Sequence, residues 1–420
     1  MMPISRRSVL HQLGGAVISG VAGSLASPLL LARSDVTITP DMVVFRPEVE
    51  PLVSLIERTP RDRCAEMLVE QFRKGVSYRQ LLGALFLAGI RNVNPRPPGF
   101  ALHCVFVIHS AHLIGLEAPA DLRLLPLFYA LDNFKIAQER DARQPMGDFT
   151  MRAIRGPLPP AERAASEFEA AMEGWDPERA ERAVVALSRY RSPGEVFDRL
   201  WRYGARDYRN IGHKAIFTAN AFRTLHAVGW QHAEPVLRSL VLAVLDFGKD
   251  QQINGFAMND QCYAGNVRRV KESFPRLDPA WGRDETQPSA TRGLLGSIRE
   301  LHPEDACAEA AGQIVKDRVA AGGVWDAVHL AAAELRMRAR PSAALAAVHA
   351  ITSANALHYA YLTASDPQVR YLLLLQAVGW ITQFREFAAT RPDGLRPFAI
   401  TGMEPEEPAP LDRALTSIFA

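Results

Sequence analysis

Apolar residues recur at three- and four-residue spacing through most of this 420-residue chain, and alternating apolar and polar runs are scarce. That period matches one face of an α-helix, whereas a strand exposed on one side has a period of two. Prolines gather in short connectors between the periodic stretches, for example over 94–99 and 157–160. The pattern predicts an all-α protein.

Self-comparison of the chain reveals three copies of one helical unit. The stretches 214–222 and 349–357 share the pattern Ala-Ile-x-x-Ala-Asn-Ala, and 103–111 is a weaker third copy. Because such a unit cannot bury its apolar face alone, repeated units stack side by side. We therefore predict an α-solenoid or toroid-like helical repeat with three related multi-helix units, beginning near residues 75, 194 and 322.

The repeat also predicts the division of the chain. Residues 33–74 are interpreted as lead-in helices, 75–400 as the catalytic repeat domain and 401–420 as a C-terminal tail. The stretch 250–320 is richer in glycine, proline and charged residues. That composition predicts an excursion from the repeat with one or two short helices.

The amino terminus has the pattern of an export signal. The pair Arg6-Arg7 precedes an apolar, glycine-rich run from Gly14 to Leu31, which is followed by the small residue Ala32. This order is typical of a signal peptide, and paired arginines are typical of the twin-arginine class. An ordinary secretory signal and an uncleaved anchor are the alternatives. We expect the export machinery to recognise residues 1–32 and deliver the chain to the periplasm.

The charge balance excludes two classes of partner. Without residues 1–32 the chain has equal numbers of basic and acidic side chains. A nucleic-acid binder or a protein drawn to anionic membranes needs a cationic surface, so neither is expected. No later stretch has the roughly 18 uninterrupted apolar residues of a membrane helix, which predicts no stable insertion of the mature chain. The four cysteines form no CxxC pair, which argues against a cysteine-based metal site.

Histidines occupy equivalent positions in two of the repeat copies. His103 and His112 are nine residues apart, as are His349 and His358. Nine residues correspond to two and a half helical turns, so the members of each pair point to opposite sides of their helix. The candidates therefore divide into two levels. The first level contains His103, His349 and, from the middle copy, His213 with its neighbour Lys214.

The first level has the chemistry of a metal site. Imidazoles that converge from different helices form typical iron, zinc or copper sites in helical proteins. Lys214 is a poor ligand as an ammonium, although its carbamate would supply an oxygen. At each histidine the structural alternative is a hydrogen-bonded core residue.

The second level has the chemistry of polar substrate binding. In each copy two polar residues three apart share one helix face, and together they offer imidazole, amide and guanidinium donors. Because a buried amide needs a partner, we expect Asn220 and Asn355 in equivalent, buried and hydrogen-bonded positions. The three pairs are His109 with His112, Asn220 with Arg223, and Asn355 with His358.

The connector after Gly229 adds a histidine and a carboxylate. Gly229 is typical of a helix end and Pro235 of the first residue of the next helix. His232 and Glu234 are therefore predicted to project from a tight turn beside Trp230, as at a functional site. The remaining histidines of the mature chain carry no functional signal: His226, His302 and His329.

Three segments resemble the questin oxidase-like family: 212–214, 229–235 and 348–357. The similarity extends over roughly residues 75–385. Its members are all-helical, and the better-known ones are fungal enzymes that oxidatively cleave polycyclic aromatic rings and are associated with a histidine-rich non-haem iron site. The resemblance implies that the metal is held by His103, His213, His232 and His349. The export signal and the second histidines, at 112 and 358, depart from the fungal pattern, so substrate identity does not transfer.

Together the residues and the resemblance predict a metal-dependent oxidoreductase, with a non-haem iron oxygenase acting on a small organic, aromatic substrate as the leading interpretation. His112, His358 and Glu234 are predicted to position the substrate or move protons, and Trp230 and Tyr359 to form pocket walls. A zinc-dependent hydrolase or lyase on the same ligands, and a non-enzymatic helical scaffold with a structural polar interior, are the alternatives. NAD, ATP and covalent haem have no supporting motif.

Overall fold

A computed structural model describes residues 42–143, 149–246 and 261–403, together with residues 410 and 413. The predicted export signal and nearly all of the predicted tail lie outside the described residues. Within the described ranges the regular structure consists of α-helices and short 3-10 turns, with isolated bridges but no strand. The all-α prediction is confirmed.

The helices are numbered here in chain order. The first ten are α1 Glu50–Arg58, α2 Cys64–Arg73, α3 Tyr78–Asn92, α4 His103–Glu117, α5 Leu125–Asp141, α6 Ala164–Glu173, α7 Pro177–Tyr190, α8 Pro193–Gly204, α9 His213–Val228 and α10 Ala233–Val244. The others are α11 Gln261–Ser273, α12 Pro288–Glu300, α13 Pro303–Lys316, α14 Ala321–Arg338, α15 Ala344–Thr363 and α16 Pro367–Ala389.

Local sequence signals set several helix starts. Ser77 and Gln80 form a capping box at the start of α3, and Ser192 and Glu195 form one at the start of α8. In each box the serine side chain accepts from the backbone N–H three residues on, and the longer side chain accepts from the backbone N–H of the serine. Two otherwise unpaired donors are satisfied at each of these helix ends.

The chain divides into two compact units. The first comprises Met1–Pro275 and Asn355–Gln376, and the second comprises Arg276–Ala354 and Ala377–Ala420. Helices α15 and α16 are each unbroken and contribute residues to both units.

In the first unit α4 and α9 are direct neighbours. Helix α4 also packs against α3 and α5, and α9 packs against α8 and α10. The core between these helices contains fully buried rings such as Phe86, Phe134 and Phe217. Burying one such side chain stabilises the fold by about 1.5–3 kcal/mol, so the relative position of α4 and α9 is set by packing.

In the second unit α12 packs against α13 and α14. Leu294, Leu295 and Ile298 of α12 are buried there. The Arg299 Nε of α12 donates to Glu334 of α14 at 2.9 Å.

Each predicted repeat copy contains three consecutive helices, namely α3–α5, α8–α10 and α14–α16. Their first helices begin at Tyr78, Pro193 and Ala321, close to the predicted starts. The stacked arrangement of the three copies stays a prediction.

The predicted excursion is more regular than its composition indicates. Residues 261–316 contain α11, α12 and α13, of 13, 13 and 14 residues, so the prediction of one or two short helices is wrong. These helices bury a narrow apolar stripe and place their many charged residues elsewhere. The composition averages over both faces and hides the stripe.

Among the described residues, one helical stretch meets the length and composition expected of a membrane span. Phe100–Glu117 has a mean hydropathy of 1.5, and 39 % of it is buried. The stretch carries His103, His109 and His112, whose rings contact other side chains. A core helix passes the same test, so this single stretch is weak evidence for insertion.

Candidate metal centre

Helices α4 and α9 both begin with a histidine. The Nε2 atoms of these residues, His103 and His213, lie 3.0 Å apart. A 3-10 turn precedes each helix, over Phe100–Leu102 and Arg209–Gly212. Residues that are 110 positions apart in the chain therefore meet where two neighbouring helices start.

The backbone before His213 is strained. Asn210, Ile211 and Gly212 all have positive φ, at 58°, 50° and 84°. Glycine adopts this region freely, but a left-handed conformation costs other residues about 1–2 kcal/mol, and it is rare for a β-branched residue such as isoleucine. Strain of this kind persists where surrounding contacts impose it, often at functional sites. Here it reverses the chain directly before His213.

Aromatic rings surround the two histidines. The ring centroid of Phe106 lies 5.7 Å from that of His103 and 5.7 Å from that of His213, and Phe100 lies 5.5 Å from His103. His213 is buried and His103 is partly buried. The neutral imidazole is the form that binds a metal ion.

His349 lies in the second turn of α15 and is buried. Its Nδ1 lies 2.8 Å from the carbonyl oxygen of Leu345. A carbonyl only accepts, so Nδ1 carries the proton, and in the neutral ring Nε2 is the nitrogen that can bind a metal ion. Burial lowers the pKa of His349, with the Leu345 contact acting in the opposite direction. Burial is the larger effect, and it favours the neutral ring.

His103, His213 and His349 each offer one ring nitrogen, and these nitrogens lie within 4.8 Å of one another. Donors that share one ion at about 2.0–2.2 Å lie within roughly 4.5 Å of each other, so the three rings are close to the required spacing. The group contains no carboxylate or thiolate. These are the three histidines that the repeat register predicts at one level.

Lys214 belongs to a separate buried ion pair. Its Nζ lies 2.8 Å from Asp207 Oδ2 and donates to the carbonyl oxygen of Asp246 at 3.0 Å. Burial lowers the pKa of Lys214, while Asp207 raises it. This contact corrects the predicted ligand role, because the buried ammonium is needed to compensate the buried Asp207 carboxylate.

His232 also lies outside the three-histidine group. Its Nε2 faces the side-chain amide of Gln231 at 3.3 Å. Burial lowers the pKa of His232, and the charge of Glu48 raises it. The predicted connector is present, because α9 ends at Val228 and α10 begins at Ala233. Its 3-10 turn, however, directs the His232 ring towards other residues, so the predicted ligand role is corrected.

The other two residues of the connector serve packing and surface charge. The Glu234 carboxylate forms an ion pair with Arg189 at 2.8 Å, a partly exposed contact that contributes at most about 1 kcal/mol. Trp230 packs edge-on against Phe197, with ring centroids 6.2 Å apart. Their predicted catalytic and pocket roles find no support in these contacts.

A polar layer lies further along α4 and α9, and Arg223 is at its centre. The Arg223 Nη1 donates to the side-chain oxygens of Asn220 and Asn355 at 3.3 and 3.0 Å. Its guanidinium carbon lies 3.9 Å from the ring centroid of Tyr359. Burial, followed by the charge of Arg223, lowers the pKa of His109 to about 4. The polar layer is defined as His109, Asn220, Arg223, Asn355 and Tyr359.

The two asparagines of the polar layer are less buried than predicted. Asn355 is exposed and Asn220 is partly exposed, so the prediction of equivalent buried positions is wrong. Both amides do have a partner, which is the same guanidinium. A shared cation near the surface satisfies them in place of a buried network.

Two phenylalanines separate the histidine group from the polar layer. Phe106 and Phe217 lie one turn after His103 and His213, and their ring centroids are 5.4 Å apart. The six residues from His103 to His109 correspond to about 9 Å along α4. The aromatic residues were missed in the sequence, although an aromatic residue three or four positions after each histidine was a usable signal.

The second histidines of the two pairs lie away from the first. His112 Nδ1 faces the Tyr78 hydroxyl at 3.3 Å, and burial lowers the pKa of His112. Burial also raises the pKa of Tyr78 to about 12. The His358 ring lies 6.2 Å from that of Tyr361. Neither histidine belongs to the three-nitrogen group, as the half-turn offset predicts.

Comparisons with known proteins add no further identification. No family model, curated protein or solved structure matches the chain. The resemblance to the questin oxidase-like family stays a prediction from the quoted segments.

Proposed function

We propose that the protein is a metal-dependent enzyme whose ion is held by His103, His213 and His349. The observation that carries the proposal is the 3.0 Å separation of the Nε2 atoms of His103 and His213. The contact of His349 Nδ1 with the Leu345 carbonyl leaves Nε2 as the nitrogen that would bind the ion. Three protein donors leave coordination positions open, as in catalytic rather than structural metal sites.

The proposed reaction class is oxidative, with a non-haem iron oxygenase as the function. Imidazole ligands suit iron, and iron with open positions supplies the chemistry by which O₂ reacts with an organic substrate. The buried side chain of Phe106, which contacts both His103 and His213, would exclude water from that side of the ion. The Leu345 carbonyl holds the His349 ring in its ligating orientation. The family resemblance supports the oxidative class.

A second function, a zinc-dependent hydrolase or lyase, is favoured by the donor set. Three histidines are a common catalytic zinc set, whereas oxygenase iron commonly has two histidines and a carboxylate. The three-nitrogen group of this chain has no carboxylate. The same residues would then hold zinc, which activates water for attack on a carbonyl.

Elemental analysis of protein purified without a histidine tag separates these functions. About one iron per chain, together with O₂ uptake in the presence of aromatic substrates, is expected for the oxygenase. About one zinc per chain without O₂ uptake supports the hydrolase or lyase. Absence of a stoichiometric metal contradicts both and favours the helical scaffold.

Helix α15 offers a matched pair of variants for the same experiment. His349→Ala is expected to abolish metal binding, because it removes a ligand. His358→Ala is expected to leave the metal bound, because its ring faces the Tyr361 side of the helix. Equal metal loss in the two variants would show that the wrong face of α15 has been assigned to the ion.

A further inference from the structure

Arg223 is a partly buried guanidinium that forms no ion pair with a carboxylate among the described residues. Its contacts are the neutral amides of Asn220 and Asn355 and the ring of Tyr359. Burial lowers the pKa of Arg223, and the Tyr359 contact raises it. A cation that is removed from water without a counter-charge favours the binding of an anion.

Two buried arginines elsewhere in the first unit have carboxylate partners. Arg91 pairs with two glutamates, and Arg238 pairs with Glu181 at 2.8 Å. The fold therefore compensates these guanidinium groups internally. At Arg223 a bound anion would supply the corresponding negative charge.

The guanidinium of Arg223 is held in a fixed orientation. Two amide oxygens accept hydrogen bonds from Nη1, and the Tyr359 ring lies against the guanidinium face. A guanidinium has five N–H donors in one plane, so donors remain beyond the two amide contacts. A fixed planar donor matches the two oxygens of a carboxylate.

The net charge of the polar layer fits a monoanion. The pKa of His109 is lowered to about 4 by burial and by Arg223, with smaller contributions from His112 and His226. The His109 ring is therefore neutral near pH 7, and Arg223 supplies a single positive charge. The single negative charge of a carboxylate balances that positive charge, whereas a phosphate dianion would leave one negative charge uncompensated. Asn355 is exposed, so a ligand reaches the layer from solvent.

We infer that the polar layer binds the carboxylate of a small organic acid, with Arg223 as the charged donor and Tyr359 as an aromatic wall. The layer lies about 9 Å along α4 from His103. If the proposed function is correct, this carboxylate belongs to the substrate of the metal centre. Binding of a carboxylate at Arg223 does not depend on the proposed function.

Calorimetric titration with sodium benzoate at constant ionic strength tests the inference, with benzamide as the neutral probe. Wild-type protein is expected to bind benzoate saturably and benzamide at least about tenfold more weakly. Arg223→Gln is expected to weaken benzoate binding by about tenfold or more. The matched control Arg189→Gln, which removes a partly exposed arginine of the same unit, is expected to change it by less than about twofold.

Three results would overturn the inference: no saturable benzoate binding by wild type, equal affinity for benzamide, or unchanged benzoate affinity in Arg223→Gln. Arg223→Lys serves as the second variant, because it keeps the charge and loses the planar donor edge. It is expected to fold and to bind with intermediate affinity. Wild-type affinity in Arg223→Lys would show that the planar edge makes no contact with the ligand.

The same titration in His213→Ala separates this inference from the proposed function. Phe106 and Phe217 lie between the two sites, so benzoate binding is expected to persist in that variant. Benzoate binding by a wild type without metal would retain the carboxylate site and contradict the metal enzyme. Metal binding without benzoate binding would retain the metal enzyme and contradict the carboxylate site.

Discussion

His103 Nε2 and His213 Nε2 face each other at 3.0 Å, at the first residues of two neighbouring helices. Each Nε2 directs either a lone pair or an N–H towards the other ring. One shared proton satisfies one nitrogen of each ring, whereas one metal ion satisfies both rings and His349 as well. The pairing is the structural basis of the proposed metal centre.

The close approach of α8 to α9 supports the position of His213. A Cβ on Gly204 would overlap the Thr218 side chain of α9. We expect Gly204→Ala to lower the free energy of unfolding by about 1–3 kcal/mol, as overpacking does. Gly194 is on the same helix and has open space around it, so Gly194→Ala is expected to be neutral or stabilising by up to about 1 kcal/mol. Urea unfolding that gives equal stabilities for the two variants would contradict the close contact.

Arg91 is fully buried between two carboxylates. It lies 2.8 Å from Glu50 and 2.7 Å from Glu57. Arg91→Met leaves both carboxylates uncompensated, so we expect a loss of about 3–5 kcal/mol of unfolding free energy. Arg61→Met breaks the solvent-screened pair with Asp132 and is expected to change the stability far less than Arg91→Met does. Denaturant unfolding of both variants at pH 7 checks the contrast, and similar losses would count against it.

The titration of His109 gives a pH prediction. Its pKa is about 4 in the folded chain, against an ordinary value of 6.5. The unfolded chain binds this proton first as pH falls, so the contribution of His109 to stability is full above pH 6.5 and is lost towards pH 4. We expect His109→Gln to show a smaller drop in Tm between pH 7 and pH 5 than wild type. An unchanged drop in His109→Gln would contradict the lowered pKa.

Export is predicted from the sequence alone. If Arg6 and Arg7 form a twin-arginine signal, replacing both by lysine keeps the charge and removes the recognised pair. We expect the double variant to stay in the cytoplasm, which cell fractionation measures. Periplasmic delivery of the variant would favour an ordinary secretory signal.

The histidine group could be predicted from the sequence because its members follow from the helical period and from the repeat register. The helical period places His103 and His349 in equivalent positions, and the repeat register adds His213. The half-turn offset likewise predicts that His112 and His358 lie outside the group. These inferences need only the geometry of a regular helix.

The roles of Lys214 and His232 depend on contacts that periodicity does not describe. Lys214 is held by Asp207, which the strained turn before His213 brings to it. His232 lies in the connector that Gly229 and Pro235 predict, but its ring direction follows from the 3-10 turn and its packing. The exposure of Asn355 likewise depends on which neighbours cover α15.

Metal content tests the central claim most directly, with two variants on the same helix. Untagged wild type, His213→Ala and His226→Ala are loaded with iron or zinc, freed of excess metal and analysed by mass spectrometry. His226 is exposed and about three and a half turns from His213 along α9, so its variant controls for general damage to the helix. We predict about one ion per chain in wild type and His226→Ala, and less than about a tenth of that in His213→Ala. Equal metal content in all three proteins, or none in wild type, would contradict the metal centre at His103, His213 and His349.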